Sequence, residues 1–238
     1  MTELSYWLPG PAVALRAVGV GLGLGGAAAV GASWLRARGV RIPYTRKVFH
    51  FVIFTGAAVV NARWGLPGTN AYGAVVAAMV LMAVVAGEGN PLYEALARET
   101  DRPHRSLFVV VPLVMTAAGG VVSALVAGPY ATVGYLVAGW GDAVGEPVGS
   151  RWGRHRYRVP SLGGVPAQRS FEGSAAVFLA SWLASLVALH ALGVGAGLVP
   201  VALACAAVGA LAEAVSNHGL DNLTVQVVAA GVAVLLLG

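Results

Sequence analysis

What most constrains this chain is the recurrence of long apolar blocks that carry almost no charge, separated by short segments rich in arginine. A helix needs ~20 apolar residues to cross a ~30 Å hydrocarbon core. In lipid every backbone polar group must be satisfied within the segment, so such blocks read as helices. They fall at roughly 12–35, 48–63, 71–87, 106–127, 130–150, 174–194, 197–216 and 222–238. The second, third and last are short, which leaves seven crossings open beside eight. The expected fold class is therefore all-α, a polytopic integral membrane helical bundle of 7–8 transmembrane helices, forming a single transmembrane domain over residues 1–238. Composition agrees: 58% of residues are hydrophobic and 11% charged, where a soluble domain carries about 25% charged residues. The alternation of a membrane β-barrel is absent.

The basic residues test this threading independently. Segments 36–47, 88–105 and 151–173 hold thirteen of the 15 Lys and Arg residues, and an eight-span chain puts all three on one side. The opposite loops near 64–70, 128–129 and 195–196 hold none. The charge bias makes the three basic loops cytoplasmic and both termini external, in a multi-pass protein of the cell membrane. The net charge of +5 thus speaks of orientation, and of anionic lipid or phosphate at the interface, with no nucleic-acid partner. Residues 1–11 lack the basic start of a secretory signal, so the first helix is expected to be retained. The single cysteine, Cys205, lies in an apolar block and reads as a small buried residue. Gly19, Gly21, Gly23, Gly25 and Gly26 form small-xxx-small pairs suited to close helix packing. No strand precedes them, so they are not a nucleotide-binding glycine loop.

Ten acidic residues are few, and five stand together at the expected cytoplasmic boundary. Asp142 and Glu146, four apart near the end of the fifth span, share a helix face. Glu172 precedes the sixth span, Glu213 ends the seventh and Asp221 opens the eighth. Ionisable groups in a membrane are costly and are functional by default. Carboxylates facing basic loops suit Mg²⁺ bound together with phosphate oxygens. The alternative for each acid is a pairing with a nearby Arg, or a helix cap.

The segment Gln168-Arg-Ser-Phe-Glu-Gly-Ser174 brings a guanidinium, two hydroxyls and a glycine to a helix start, where exposed N–H groups and the dipole favour anions. Arg169 can grip a phosphate through two parallel bonds, and Gly173 lets the backbone approach it. Ser170 offers a hydroxyl, and Ser174 either contacts the anion or caps the helix. Before the second span, Arg46 and His50 share a face with Lys47 beside them. His50 can accept a proton or orient a phosphate; the plainer alternative is an interfacial hydrogen bond.

Four of these segments resemble the polyprenol kinase family, which includes phytol and farnesol kinases, dolichol kinase and a CTP-dependent diacylglycerol kinase. They are Arg46-Lys-x-x-His50, Gly141-Asp142 through Gly149 with Gly153 following, Ser170-Phe-Glu-Gly-Ser174, and Glu213 followed by Asp221-Asn-Leu-Thr224. They occur in the family's order across most of the chain. The resemblance implies a kinase that moves the γ-phosphoryl group of a nucleoside triphosphate, typically CTP, onto a lipid alcohol. It places Asp142, Gly141, Gly149 and Gly153 in the nucleotide-binding motif, with Ser170, Glu172, Gly173 and Ser174 in its second half. Arg46, Lys47 and His50 match the basic motif, and Asp221 and Asn222 the late acidic one. Expected metal ligands are drawn from Asp142, Glu146, Glu172, Glu213 and Asp221, with Arg46, Lys47 and Arg169 neutralising phosphate and Asp142 or His50 as base. Two positions depart from the pattern: Arg169 stands where Lys is common, and Glu146 where a small residue or Asp is common.

Two rival readings differ in chemistry. A CDP-diacylglycerol synthase-like cytidylyltransferase shares the Gly-Asp, Gly and Glu-Gly layout, but its usual His-Gly-Gly stretch is replaced here by Asp221-Asn-Leu-Thr224. A cation-coupled transporter would hold its acids at the bilayer midplane, whereas these lie at one boundary. The lipid alcohol itself and the oligomeric state are not written in any motif.

Overall fold

The computed structural model describes residues 6–162, 165–217 and 219–238. Helix α1, Pro11–Ala37, widens by one turn over Gly21–Gly25 and lies against the second half of α2. A Cβ on Gly21 would stand 3.1 Å from Val75, and one on Gly25 would stand 3.2 Å from Met79. Gly19, Gly23 and Gly26 face open space, so only one edge of the glycine run is a packing surface.

Helix α2, Ile42–Ala86, is a hairpin of two limbs, 42–64 and 66–86. Its hinge is Gly65, at φ +59°, a left-handed conformation that only glycine adopts without a Cβ penalty. The Tyr72 hydroxyl donates to the Ile53 carbonyl at 2.9 Å, although a straight helix would hold those residues ~28 Å apart. Short helix α3, Pro91–Leu96, starts at Asn90, whose side chain accepts from the Leu92 and Tyr93 amides. Helices α4, Leu107–Ala127, and α5, Ala131–Trp152, turn back on each other over Gly128–Tyr130. There the Tyr135 hydroxyl reaches the Gly120 carbonyl at 2.9 Å.

After α5 the chain forms an antiparallel hairpin, β1 Arg156–Leu162 and β2 Val165–Ser170, with Tyr157 opposite Arg169 and Arg158 opposite Gln168. The expected plain loop over 151–173 is thus partly a β-ribbon. The alternation Arg156, Tyr157, Arg158, Val159 carries the period-2 signal of a strand. Helices α6, Phe171–Ala191, α7, Leu198–Val215, and α8, Asp221–Leu237, complete the bundle.

Five apolar stretches are long enough to cross a membrane. Two of them, Ile42–Ala86 and Leu107–Trp152, each fold back into two limbs, and the 17-residue α8 is a shorter apolar helix beside them. This is a helical membrane bundle. Its outer surface carries large apolar side chains such as Leu15, Val85, Val215 and Leu235, each at least 70% exposed, a surface suited to lipid. Helix α5 is its axis: every residue from Ala131 to Gly139 is buried. A helix that is apolar on all sides belongs in the interior. Around it, α2, α4, α6, α7 and α8 begin or end at the same extremity as the C-terminal end of α5.

Candidate active site

The four-residue spacing on α5 does put Asp142 and Glu146 side by side, and one cation joins them. Lys47 Nζ, carried by the first turns of α2, lies 2.5 Å from Asp142 Oδ2 and 2.8 Å from Glu146 Oε2. Lys47 is only 4% exposed, and a buried ammonium needs such partners to offset its lost hydration. One turn along α2, His50 Nε2 lies 3.4 Å from Asp142 Oδ2, its ring stacked on Phe54. From the 88–105 segment, Arg98 reaches Glu146 Oε1 at 3.1 Å while its Nε is held by Asp101 at 3.0 Å.

A second ionic group faces the first. Arg169, near the end of β2, pairs through separate nitrogens with Glu213 of α7 and with Asp221 of α8, the latter at 2.9 Å. It also donates to the Ser216 carbonyl at 3.3 Å. Asp221 Oδ1 accepts from the Gly219 and Asn222 amides, and the Asn222 side-chain amide donates to the Pro112 carbonyl.

The motif glycines have a mechanical part. A Cβ on Gly141 would sit 2.7 Å from Ser181 Oγ, one on Gly153 2.6 Å from Ser170 Oγ, and one on Gly173 3.1 Å from the Gly149 Cα. Together they form the seam along which α5 and α6 touch. The cap of α6 is Ser170, whose hydroxyl accepts from the Gly173 amide at 3.1 Å. Ser174 does not cap: its hydroxyl pairs with Tyr157 at 2.7 Å.

These groups line a polar cavity of ≈ 350 Å³ whose wall includes six basic side chains and four carboxylates. Arg46, Lys47, Asp142, Glu146, Gly149, Arg169, Ser170, Gly173, Ser174, Glu213, Asp221 and Asn222 all contribute to it. Gly141 and Gly153 lie behind, in the helix seam, and His50 borders the neighbouring groove. Glu172 turns away: it holds the base of the β-hairpin through His155 Nδ1 at 2.7 Å and the Arg154 amide at 3.1 Å. The sequence reading left out Arg41, Arg98, Arg156 and Gln168, which also line the cavity. Arg98 was legible only as one basic loop residue among several; its partner Glu146 is 48 residues away.

Beside this cavity runs an apolar groove of ≈ 320 Å³ between both limbs of α2 and α4, lined by residues such as Phe49, Ile53, Val76, Phe108 and Tyr135. Arg46 and Asn222 line both spaces. The groove therefore adjoins the ionic cavity at its head.

No protein-family model and no solved structure matches the chain. It is similar to the phytol kinase of Synechocystis sp. (strain ATCC 27184 / PCC 6803 / Kazusa), 32% identical over 191 residues that cover 79% of this chain and 77% of that protein. The chain belongs to the polyprenol kinase family. In this polyprenol kinase family member all four carboxylates of the cavity are ion-paired, yet Glu213 Oε2 and Arg169 Nε are buried without a hydrogen-bond partner among the described residues. Such orphaned atoms leave bonding capacity for a polar ligand.

Proposed function

We propose that the protein transfers the γ-phosphoryl group of a nucleoside triphosphate, with CTP the expected donor, to an isoprenoid alcohol at the cytoplasmic membrane face. The observation that carries this reading is the meeting of an ionic cavity and an apolar groove at Arg46 and Asn222. A polar phosphate donor and a hydrophobic alcohol each have a matching compartment, and they share one boundary. Family membership supports the reaction class, and the relative's name supports an isoprenoid acceptor.

Mg²⁺ fits the residues present. Magnesium is usually held by one or two carboxylates with phosphate oxygens and water, and Asp142 and Glu146 direct oxygens within 2.5 and 2.8 Å of one cationic centre, the Lys47 ammonium. Among the described residues no three acidic or imidazole side chains gather closely enough to hold a metal by themselves, so Asp142 and Glu146 would hold the ion together with phosphate oxygens. Bound there, it supplies charge neutralisation on the phosphoryl group being transferred.

The chain's own groups do the rest. Arg46, Lys47, Arg98 and Arg169 balance phosphate charge, and bidentate guanidinium bonds fix its orientation. The groove holds the acceptor so that its hydroxyl stands at the head, near His50 Nε2 and Asp142 Oδ2. Either atom can take the hydroxyl proton as the alcohol oxygen bonds to the γ-phosphorus and the β–γ bridging P–O bond breaks, releasing the nucleoside diphosphate. Most of the acceleration then comes from position and charge, as in phosphoryl transfer generally.

The test uses purified protein in lipid nanodiscs with CTP, UTP, GTP or ATP and a lipid alcohol. Formation of the lipid monophosphate with an equal amount of nucleoside diphosphate is expected, and fastest with CTP. Pyrophosphate and a CDP-lipid would mean a cytidylyltransferase instead. Cation uptake into sealed proteoliposomes without nucleotide turnover would mean a transporter.

A further inference from the structure

The apolar groove has a definite depth. On α2 it runs from Arg46 to Ala57 along the first limb and from Val80 back to Thr69 along the second, about 16 Å in each case at the helical rise. On α4 it runs from Phe108 to Val121, about 20 Å. Its deep end meets a polar rung. The Asn61 amide donates to Thr132 Oγ1 at 3.0 Å, and Thr69 Oγ1 lies 3.4 Å from Asn61 Oδ1 and 3.0 Å from the Gly65 carbonyl. Asn61 stands one turn beyond Ala57, and Asn61 and Thr132 are 5% and 3% exposed. The rung ties both limbs of α2 to the start of α5 just past the foot of the groove. A hydrocarbon chain that pushed through it would strip buried polar groups of their partners, with nothing to replace them.

We infer that this rung is the floor of a length gauge, and that the groove takes alcohols of three or four isoprene units while excluding long polyprenols. The inference rests on the lipid-alcohol kinase reading and adds the size of the acceptor to it. One isoprene unit contributes four main-chain carbon–carbon bonds of ~1.5 Å, which advance about 5 Å in a staggered chain. Three or four units thus extend about 15–20 Å, which matches the length of the groove along α2 and α4. Ten units would extend about 50 Å, beyond the whole ~30 Å hydrocarbon core. Ala57 and Ala117 line the lower part of the groove from opposite walls, so a larger side chain at either position raises the floor.

The experiment measures kcat/KM of the full-length protein in nanodiscs for geraniol, farnesol, geranylgeraniol and a nine-unit polyprenol. Wild type should favour the three- and four-unit alcohols, with the nine-unit chain at least tenfold lower. Ala57→Leu should move the farnesol-to-geranylgeraniol ratio at least tenfold toward farnesol, the scale on which apolar pockets read small changes of size. Ala117→Leu should do the same from the other wall, which keeps the test open if one variant folds poorly. Equal kcat/KM for all lengths in wild type overturns the gauge, and so do two variants that lower every acceptor alike. A wild type that phosphorylates none of these alcohols sinks the kinase reading itself, and the gauge with it.

Discussion

Lys47 and Asp142 are 95 residues apart in the chain, and their charged atoms meet at 2.5 Å. The same ammonium holds Glu146, so one cation cancels the repulsion between two carboxylates a single helical turn apart. Asp142→Asn keeps the side chain's shape and leaves the Lys47–Glu146 pair in place. It should lower lipid phosphorylation by about 10²–10³-fold or more, the scale of losing a group that stabilises transition-state charge. The thermal midpoint in detergent should stay close to wild type. Near-normal turnover in that variant would remove Asp142 from the mechanism.

Arg169 joins α7 to α8 through Glu213 and Asp221. Arg169→Ala leaves two buried carboxylates without their cation, and breaking such a pairing costs about 3–5 kcal/mol. Arg169→Lys restores the charge but not the planar fork that serves two acids at once. Unfolding in detergent should therefore rank wild type above Lys and Lys above Ala. The nucleotide KM should rise in the reverse order.

The seam of α5 and α6 has no room for a methyl group at Gly141, where a Cβ would sit 2.7 Å from Ser181 Oγ and 3.2 Å from Val177. Gly141→Ala should destabilise by about 1–3 kcal/mol, as overpacking does, and should displace Asp142, the next residue. Gly141→Ala combined with Ser181→Ala removes the closest clash and should recover part of both the thermal midpoint and the activity.

The 88–105 segment is pinned by Arg105, 3% exposed, which pairs with Glu88, Glu94 and Glu99. Hydrogen bonds from Arg105 to Glu94 and from Arg102 to Glu99 hold both carboxyls below the ordinary glutamate value of 4.5. Groups with depressed values contribute stability that is present above the ordinary value and lost as pH falls through the folded one. Hydrogen-exchange protection factors of 88–105, corrected for the intrinsic rate at each pH, should stay flat from neutral pH to about 5 and fall below about 4. Arg105→Gln should abolish that pH step by loosening the segment at every pH.

The helices were legible because lipid leaves the backbone one solution, and an apolar block announces it. The carboxylates were legible because charge is scarce in such a chain: Asp142, Glu146, Glu213 and Asp221 stood out before any coordinates did. Other features depend on distance in space and left no local trace. Arg98 meets Glu146 only because the 88–105 segment folds under α5. Glu172, beside the cap residue Ser170, turns to the strand base because β1 and β2 pair there, and the strand period of 156–159 was hidden among arginines. The groove is written in how the two limbs of α2 diverge from α4, which no run of residues spells out.

The polar cavity stands ready with its own counter-ions. Each carboxylate already neutralises an ammonium or guanidinium group, so an incoming polyanion must compete with internal acids for Lys47, Arg98 and Arg169. Its measured affinity is then the difference between two sets of salt links, old and new. A pocket wired in this way keeps its acids close together without self-repulsion. It yields only to a ligand able to replace several links together.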